Sequence, residues 1–210
     1  MTTETAPTTA PRESTLSHLL TSLLYTIATV VVFGLIYPLV ITLIGGLIFP
    51  NQAGGSLITD AHGKVVGSAI MGQLFTKPRY FHGRPSAAGK NGYDPTATGG
   101  TNLAPTSKKL IDTTRATIAS VKKENSMTEA PPMNLVTSSG SGMDPDISPE
   151  AARYQINRVA AARHLNTEAV AALVSAHIVP RTLGFLGEPR VNVLELNRAL
   201  EAYTPKLGVN

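Results

Sequence analysis

Between Ser14 and Thr59 the chain carries no Asp, Glu, Lys or Arg, and that gap constrains the fold more than any other feature. Inside it lies LLTSLLYTIATVVVFGLIYPLVITLIGGLIFP, roughly Leu19 to Phe49, dominated by Leu, Ile and Val. A soluble helix of this length needs a polar face for water, and this run has none. About 20 apolar helical residues, each rising about 1.5 Å, cross a hydrocarbon layer of about 30 Å. One transmembrane helix is expected. A cleavable signal peptide would hold an apolar stretch of only about 7–15 residues before a small-residue cleavage site. This run is longer and ends in FPNQAGG. Pro38 removes a backbone donor and predicts a kink near the middle, while Gly34, Gly45 and Gly46 leave room for another helix to approach.

Arg12 flanks the N-terminal side of the run, whereas the first basic residue beyond it is Lys64. The positive-inside rule therefore leans towards a cytoplasmic N-terminus. MTTETAPTTAPRE, residues 1–13, is rich in Thr and Pro without apolar periodicity and reads as disordered. The expected division is a disordered segment at 1–15, a membrane helix at 16–50 and one soluble domain at 51–210. Such a domain has ample length to bury a core of its own.

The formal net charge is +4. Basic and acidic residues are interleaved over most of the soluble part, the pattern of a solvated surface rather than a nucleic-acid face. Between Asp60 and Asp94, however, the charges are Lys64, Lys77, Arg79, Arg84 and Lys90, all positive, a stretch suited to an acidic partner. The chain has no cysteine, which excludes disulfides, thiolate metal sites and thiol nucleophiles.

The expected fold class is α+β, a mixed domain with long ordered loops. SLITDAHGKVVGSAIMGQLF reads as two short strands around an Asp60–Gly63 turn. Thr76 to Ser107 is crowded with Gly, Pro, Asn and Ser and reads as a loop; Tyr80, Phe81 and Tyr93 mark it as ordered and contact-making. Ser107 to about Asn125 has helical spacing, with Leu110, Ile111, Ile118 and Val121 on one face. A second loop runs from Ser126 to Ile147. Ser148-Pro149-Glu150 opens a helix expected to reach about Leu165. Asn166 or Thr167 caps the next, with an apolar stripe of Val170, Leu173, Val174, His177 and Ile178 ended by Pro180. A last amphipathic helix covers Val193 to Tyr203, capped by Asn192.

Several stretches imitate catalytic motifs. Gly83 to Asn91 is one residue too long for a GxxxxGK phosphate loop and has Asn91 where a hydroxyl is needed. Ser138-Ser139-Gly140-Ser141-Gly142 lacks the glycine spacing of a GxSxG elbow. Asp144-Pro-Asp146-Ile-Ser148 begins like a calcium loop, but Pro149 replaces the turn glycine and Gln155 the final bidentate glutamate. His18, His62, His82, His164 and His177 show no metal-ligand spacing, and His177 on its apolar stripe reads as a core residue.

GQLFTKPRYFHGRPSA, YDPTATGGTNLAPTS, LVTSSGSGMDPDISPEAARYQINRVAAAR and LGEPRVNVLELNRAL together resemble the KdpC family, the C subunits of Kdp-type potassium-transporting P-type ATPases. The resemblance implies a subunit without catalytic residues, in a bacterial inner-membrane complex with a channel-like potassium subunit, a P-type ATPase subunit and a small membrane subunit. Its bulk would be extracytoplasmic, with lipid around the single helix and no nucleic acid as partner. A catalytic-chaperone role, raising the ATP affinity of the pump subunit, is attributed to the family. Ser139, Gly140, Ser141, Gly142 and Gln155 match a block likened to an ABC-transporter signature, which implies a nucleotide-linked role with ATP reached through the complex. Physically, those serine and glycine amides suit either an anion cradle or a structural loop. Two other classes stay open at this point: a tethered hydrolase using Ser141 or Asp144 and Asp146, and a membrane-anchored structural or receptor module.

Overall fold

The computed structural model describes residues 14–60, 62–90 and 92–203. The expected disorder at residues 1–13 lies outside the described residues, as do Ala61 of the first turn and Asn91 of the phosphate-loop mimic. The chain divides into two compact units, one ending at Gly54 and the other beginning at Gly55.

The first unit is helix α1, Thr15–Ile48, long and apolar enough to cross a membrane, with no residue buried within the chain. It starts before the expected Leu19 because Ser14 caps it, accepting the Ser17 N–H at 3.2 Å. Ser22, Thr26 and Thr29 donate to carbonyls four residues back at 2.7–2.8 Å, which satisfies their hydroxyls within the helix. The adjustment predicted at Pro38 takes the form of a π-helical segment, Val30–Ile36, with the Tyr37 N–H reaching Val32 O. Because proline offers no N–H to the Gly34 carbonyl, the preceding turn widens. A single turn, α2 (Pro50–Ala53), follows.

The second unit is mixed α/β. Strands β1 (Leu57–Thr59) and β2 (Val65–Ser68) form the expected hairpin. Asp60 Oδ1 closes it by accepting the His62 and Lys64 N–H groups at 2.9 and 3.0 Å. No helix or strand occurs among the described residues from Ala69 to Ser107. Helix α3 spans Lys108–Asn125. A 3₁₀ turn at Met133–Leu135 and strand β3, Asp146–Ile147, break up what reads in the sequence as one loop.

Ser148 caps α4 (Pro149–Tyr154), accepting the Ala151 N–H at 3.2 Å. The single helix expected to Leu165 is interrupted at Gln155, which stays in the αR region but turns its N–H to Ala152 O, three residues back, at 3.1 Å, and so ends α4 and begins α5 (Ile156–Arg163). Asn166 caps α6, Thr167–Ala176. That helix ends before Pro180: His177 is its C-cap, with Nδ1 2.8 Å from Leu173 O, and Ile178 already belongs to β4 (Ile178–Val179). Strand β5 (Arg190–Asn192) leads into α7 (Val193–Ala202), where Asn192 accepts the Glu195 N–H.

Strands β3, β4 and β5 form an antiparallel sheet, separate from the β1–β2 hairpin, in the order β3-β5-β4, with Val191 facing Ile147 on one side and Ile178 on the other. Val191 is fully buried, and Phe81, Ile147, Val159, Val170, Val174, Leu196 and Leu200 surround it in one core. Phe81 stands out because it is supplied by the long loop, not by a helix or strand.

Candidate functional site

A segment without secondary structure can enter a core only if its backbone polar groups find partners. Around Phe81 those partners are side chains. Asn197, on α7, accepts the Phe81 N–H at 2.8 Å and returns its own amide proton to Phe81 O at 2.9 Å. Gln155 does the same one residue on, accepting the His82 N–H at 2.8 Å and donating to His82 O at 3.1 Å. Each amide thus copies the two bonds of a β-ladder partner. Asn197 and Gln155 are 2% and 1% exposed, so water takes no part.

Arg158 extends the grip. Its guanidinium donates to Pro78 O at 2.5 Å, Tyr80 O at 2.9 Å, Asn125 Oδ1 at 3.0 Å and Gln155 Oε1 at 2.7 Å. Burial lowers its pKa from the ordinary arginine value, opposed by Glu124 at 3.8 Å. Arg163 donates to Arg79 O at 2.7 Å and to Glu201 at 2.8 Å, with its guanidinium over the Tyr80 ring. His82 Nδ1 lies 3.1 Å from Glu124, and Nε2 lies 3.1 Å from Lys77 O. Burial, then the neighbouring Arg158, pushes this imidazole below its usual pKa. Lys77 to His82 is therefore held along its length by α3, α5, α7 and the α4–α5 break.

Downstream, Arg84 pairs with Asp144 at 2.9 Å, and the Tyr93 hydroxyl donates to Arg84 O at 2.5 Å. Burial, reinforced by Asp144, pushes that phenol up to about 12. Ser86 Oγ donates to Gly142 O at 2.6 Å and accepts the Ala88 and Tyr93 N–H groups. Of the basic run expected to face a partner, Arg84 is thus spent on Asp144, and Arg79 lies 3.7 Å from Glu201.

The serine-rich loop packs against the same segment, with the Ser139 N–H on Pro85 O at 3.0 Å. Ser139 Oγ accepts the Ser141 and Gly142 N–H groups, and Ser141 Oγ accepts that of Met143, each at 3.2 Å. These amides are turned into the loop. Gly142 adopts φ +75°, and a Cβ there would lie 2.5 Å from Ala88 Cβ, so only glycine fits. Ser139, Gly140, Ser141 and Gly142 lie together; Gln155 grips the same segment at His82 instead of at Pro85, and its amide is fully engaged, Nε2 also reaching Ala151 O.

The hydroxyls of Ser139 and Ser141 face each other at 3.2 Å; no hydrogen bond from either to a histidine or carboxylate occurs among the described residues. Asp144 is committed to Arg84, and Asp146 pairs with Arg190 at 3.2 Å, its carboxyl raised by burial. No group of three or more His, Asp or Glu able to hold a metal occurs among the described residues. Beside the clasp lies a cleft of about 340 Å³, lined by Phe75, Val121 and Leu135 together with His82, Glu124 and Gln155. Chemically the arrangement holds a shape.

Asn197 and Arg158 were not singled out in the sequence. Asn197 had a signal: it interrupts the apolar stripe Val193, Leu196, Leu200 at helical spacing, where an unpaired amide would be costly. Arg158 follows Gln155 by three residues and so shares its helix face.

A family model described as "KdpC: K+-transporting ATPase, c chain" matches residues 19–202. A protein of Caulobacter vibrioides named potassium-transporting ATPase KdpC subunit is 53% identical over 193 residues, 92% of this chain and 97% of its own length. Proteins of the same name from Gemmatimonas aurantiaca and Myxococcus xanthus are 51% and 50% identical, covering 89% and 88% of this chain and 94% and 88% of their own lengths. With the family model matching residues 19–202 and relatives about half identical over most of both chains, this chain belongs to the KdpC family of K+-transporting ATPase c chains.

Proposed function

We propose that the chain is a non-catalytic accessory subunit of an ATP-driven, high-affinity potassium-uptake complex. It would be anchored in a bacterial inner membrane by α1, with a cytoplasmic N-terminus and the second unit outside the cytoplasm. Its partners would be the channel-like, P-type ATPase and small membrane subunits. The observation that carries this reading is family membership over residues 19–202, and the single apolar helix supports it. Co-purification tests it: the solubilised chain should be recovered with the larger membrane subunits, and its deletion should abolish growth on limiting potassium. Recovery of the chain alone from native membranes, or normal growth of the deletion strain, refutes it and favours a free-standing receptor module.

Within that complex we assign the chain a chaperone role that raises the ATP affinity of the pump subunit. ATP and the second unit would lie on opposite sides of the membrane, so the effect must be a coupling free energy between distant sites. Ser139, Gly140, Ser141, Gly142 and Gln155 would serve it by keeping the clasped loop rigid. The completely engaged amide of Gln155 supports this over direct nucleotide contact. In the assembled complex, Gln155→Leu should raise the KM for ATP within the usual coupling range of about 5- to 150-fold. An unchanged KM in a complex of normal composition refutes the role.

A further inference from the structure

The β1–β2 hairpin carries an apolar outer face that the domain itself does not use. Its inner face is spent on the core side: Ile58 is buried, and Leu194 lies beneath Gly67. Leu57 and Thr59 alternate with the buried Ile58 along β1, and Thr59 pairs with Val65 across a register shift that breaks the regular alternation of β2. Leu57 is 56% exposed, Val65 50%, and Ile70, just beyond β2, 62%. The solvent face of an antiparallel hairpin is ordinarily polar. Two polar groups here are already engaged, Asp60 with the turn amides and Ser68 Oγ with Gly55 O at 2.7 Å.

Chain connectivity limits what can cover this face. Only residues 49–56 separate α1 from β1, and α2 shortens that span. At about 1.5 Å per helical and 3.5 Å per extended residue, Leu57 begins within about 25 Å of Ile48. If α1 lies in a bilayer, the headgroup layer is permanently within reach of the hairpin. Such tethering multiplies a weak contact by about 10²- to 10⁴-fold. Lys64, at the tip, suits phospholipid phosphate.

We propose that the outer face of the β1–β2 hairpin, Leu57, Val65 and Ile70, rests on the membrane interface and contacts phospholipid glycerol and upper acyl chains. The proposal builds on the membrane reading of α1. A second apolar cluster, Leu183 and Phe185 at 79% and 68% exposure in the β4–β5 turn, provides the comparison. Strand β5 runs from that turn towards Asn192, whose amide donates to Ala69 O beside the hairpin at 2.8 Å, so the turn occupies the opposite end of the strand.

The absence of cysteine makes the test direct. Full-length single-cysteine variants Leu57→Cys, Val65→Cys, Leu183→Cys and, within α1, Val40→Cys are labelled with an NBD fluorophore. They are reconstituted alone in phosphatidylcholine nanodiscs containing phosphatidylglycerol and a nitroxide high on the acyl chain. Because interfacial side chains sit about 5–10 Å into the headgroup boundary, quenching at 57 and 65 should exceed that at 183 at least about twofold. Equal quenching at 57, 65 and 183 overturns the proposal, since any apolar residue would then suffice. Quenching at 40 but not at 57 or 65 overturns it and leaves the membrane span standing. No quenching even at 40 removes the span itself. Shielding of 57 and 65 only when the other subunits are present assigns the face to a protein and equally refutes lipid contact.

Discussion

Replacing Asn197 with leucine keeps the side chain's approximate volume and deletes the amide that pairs both polar groups of Phe81. Phe81 is fully buried and residue 197 is 2% exposed, so water cannot substitute. Each orphaned buried backbone group costs about 1–3 kcal/mol, hence ~2–6 kcal/mol for the pair. The buried leucine offsets about 1–2 kcal/mol of this through its apolar surface. At the middle of both ranges a net loss of about 2.5 kcal/mol remains, which at about 2–4 °C per kcal/mol for a domain of this size lowers Tm by ~5–10 °C. The assay is thermal and urea unfolding of the full chain in detergent micelles, followed by tyrosine fluorescence. Asn197→Asp sharpens it, because the carboxylate still accepts from Phe81 N–H but confronts Phe81 O. Burial beside a carbonyl raises that carboxyl's pKa in the folded state. The variant should therefore lose stability as pH rises from the ordinary carboxylate value towards the raised one. An unchanged midpoint for Asn197→Leu, or a pH-independent Asn197→Asp, would show that the clasp does not hold the loop.

Arg158→Lys should also be destabilising despite retaining the charge, by about 3 kcal/mol in urea unfolding. One ammonium cannot reach Pro78 O, Tyr80 O, Asn125 and Gln155 together, and the unmet groups are buried. Gly142→Ala meets both the positive φ and Ala88 Cβ at 2.5 Å, and should lower stability by about 2 kcal/mol in the same experiment. His82 has a folded-state pKa below its ordinary 6.5, so the folded chain binds fewer protons than the unfolded one between the two values. Its contribution is complete above the unfolded pKa, declines as pH falls through it, and levels off below the folded pKa. Urea midpoints measured for wild type and His82→Gln should converge as pH falls across that window, and parallel curves would refute the assignment.

What could be read along the chain was whatever depends on neighbours in sequence. The charge-free run gave α1 because a stretch of apolar residues with no ionic group offers water no face, wherever the run sits. Ser148, Asn166 and Asn192 announced three helix starts because capping is a contact over two or three residues. The motif blocks carried the family, and Tyr80, Phe81 and Tyr93 signalled that the long loop is ordered.

What the sequence could not show is who pairs with whom across long separations. Asp146-Ile147 becomes a strand only because Val191-Asn192 lies beside it, and two-residue strands have no periodicity to detect. Gln155, matched by resemblance to a nucleotide-linked motif, is spent on the backbone of His82, 73 positions away; Asn197 clasps Phe81 across 116. An amide's chemistry is the same in any context. Whether it binds a ligand, meets water or stands in for a missing strand depends on which carbonyl and N–H the fold delivers to it, and only the tertiary structure decides that.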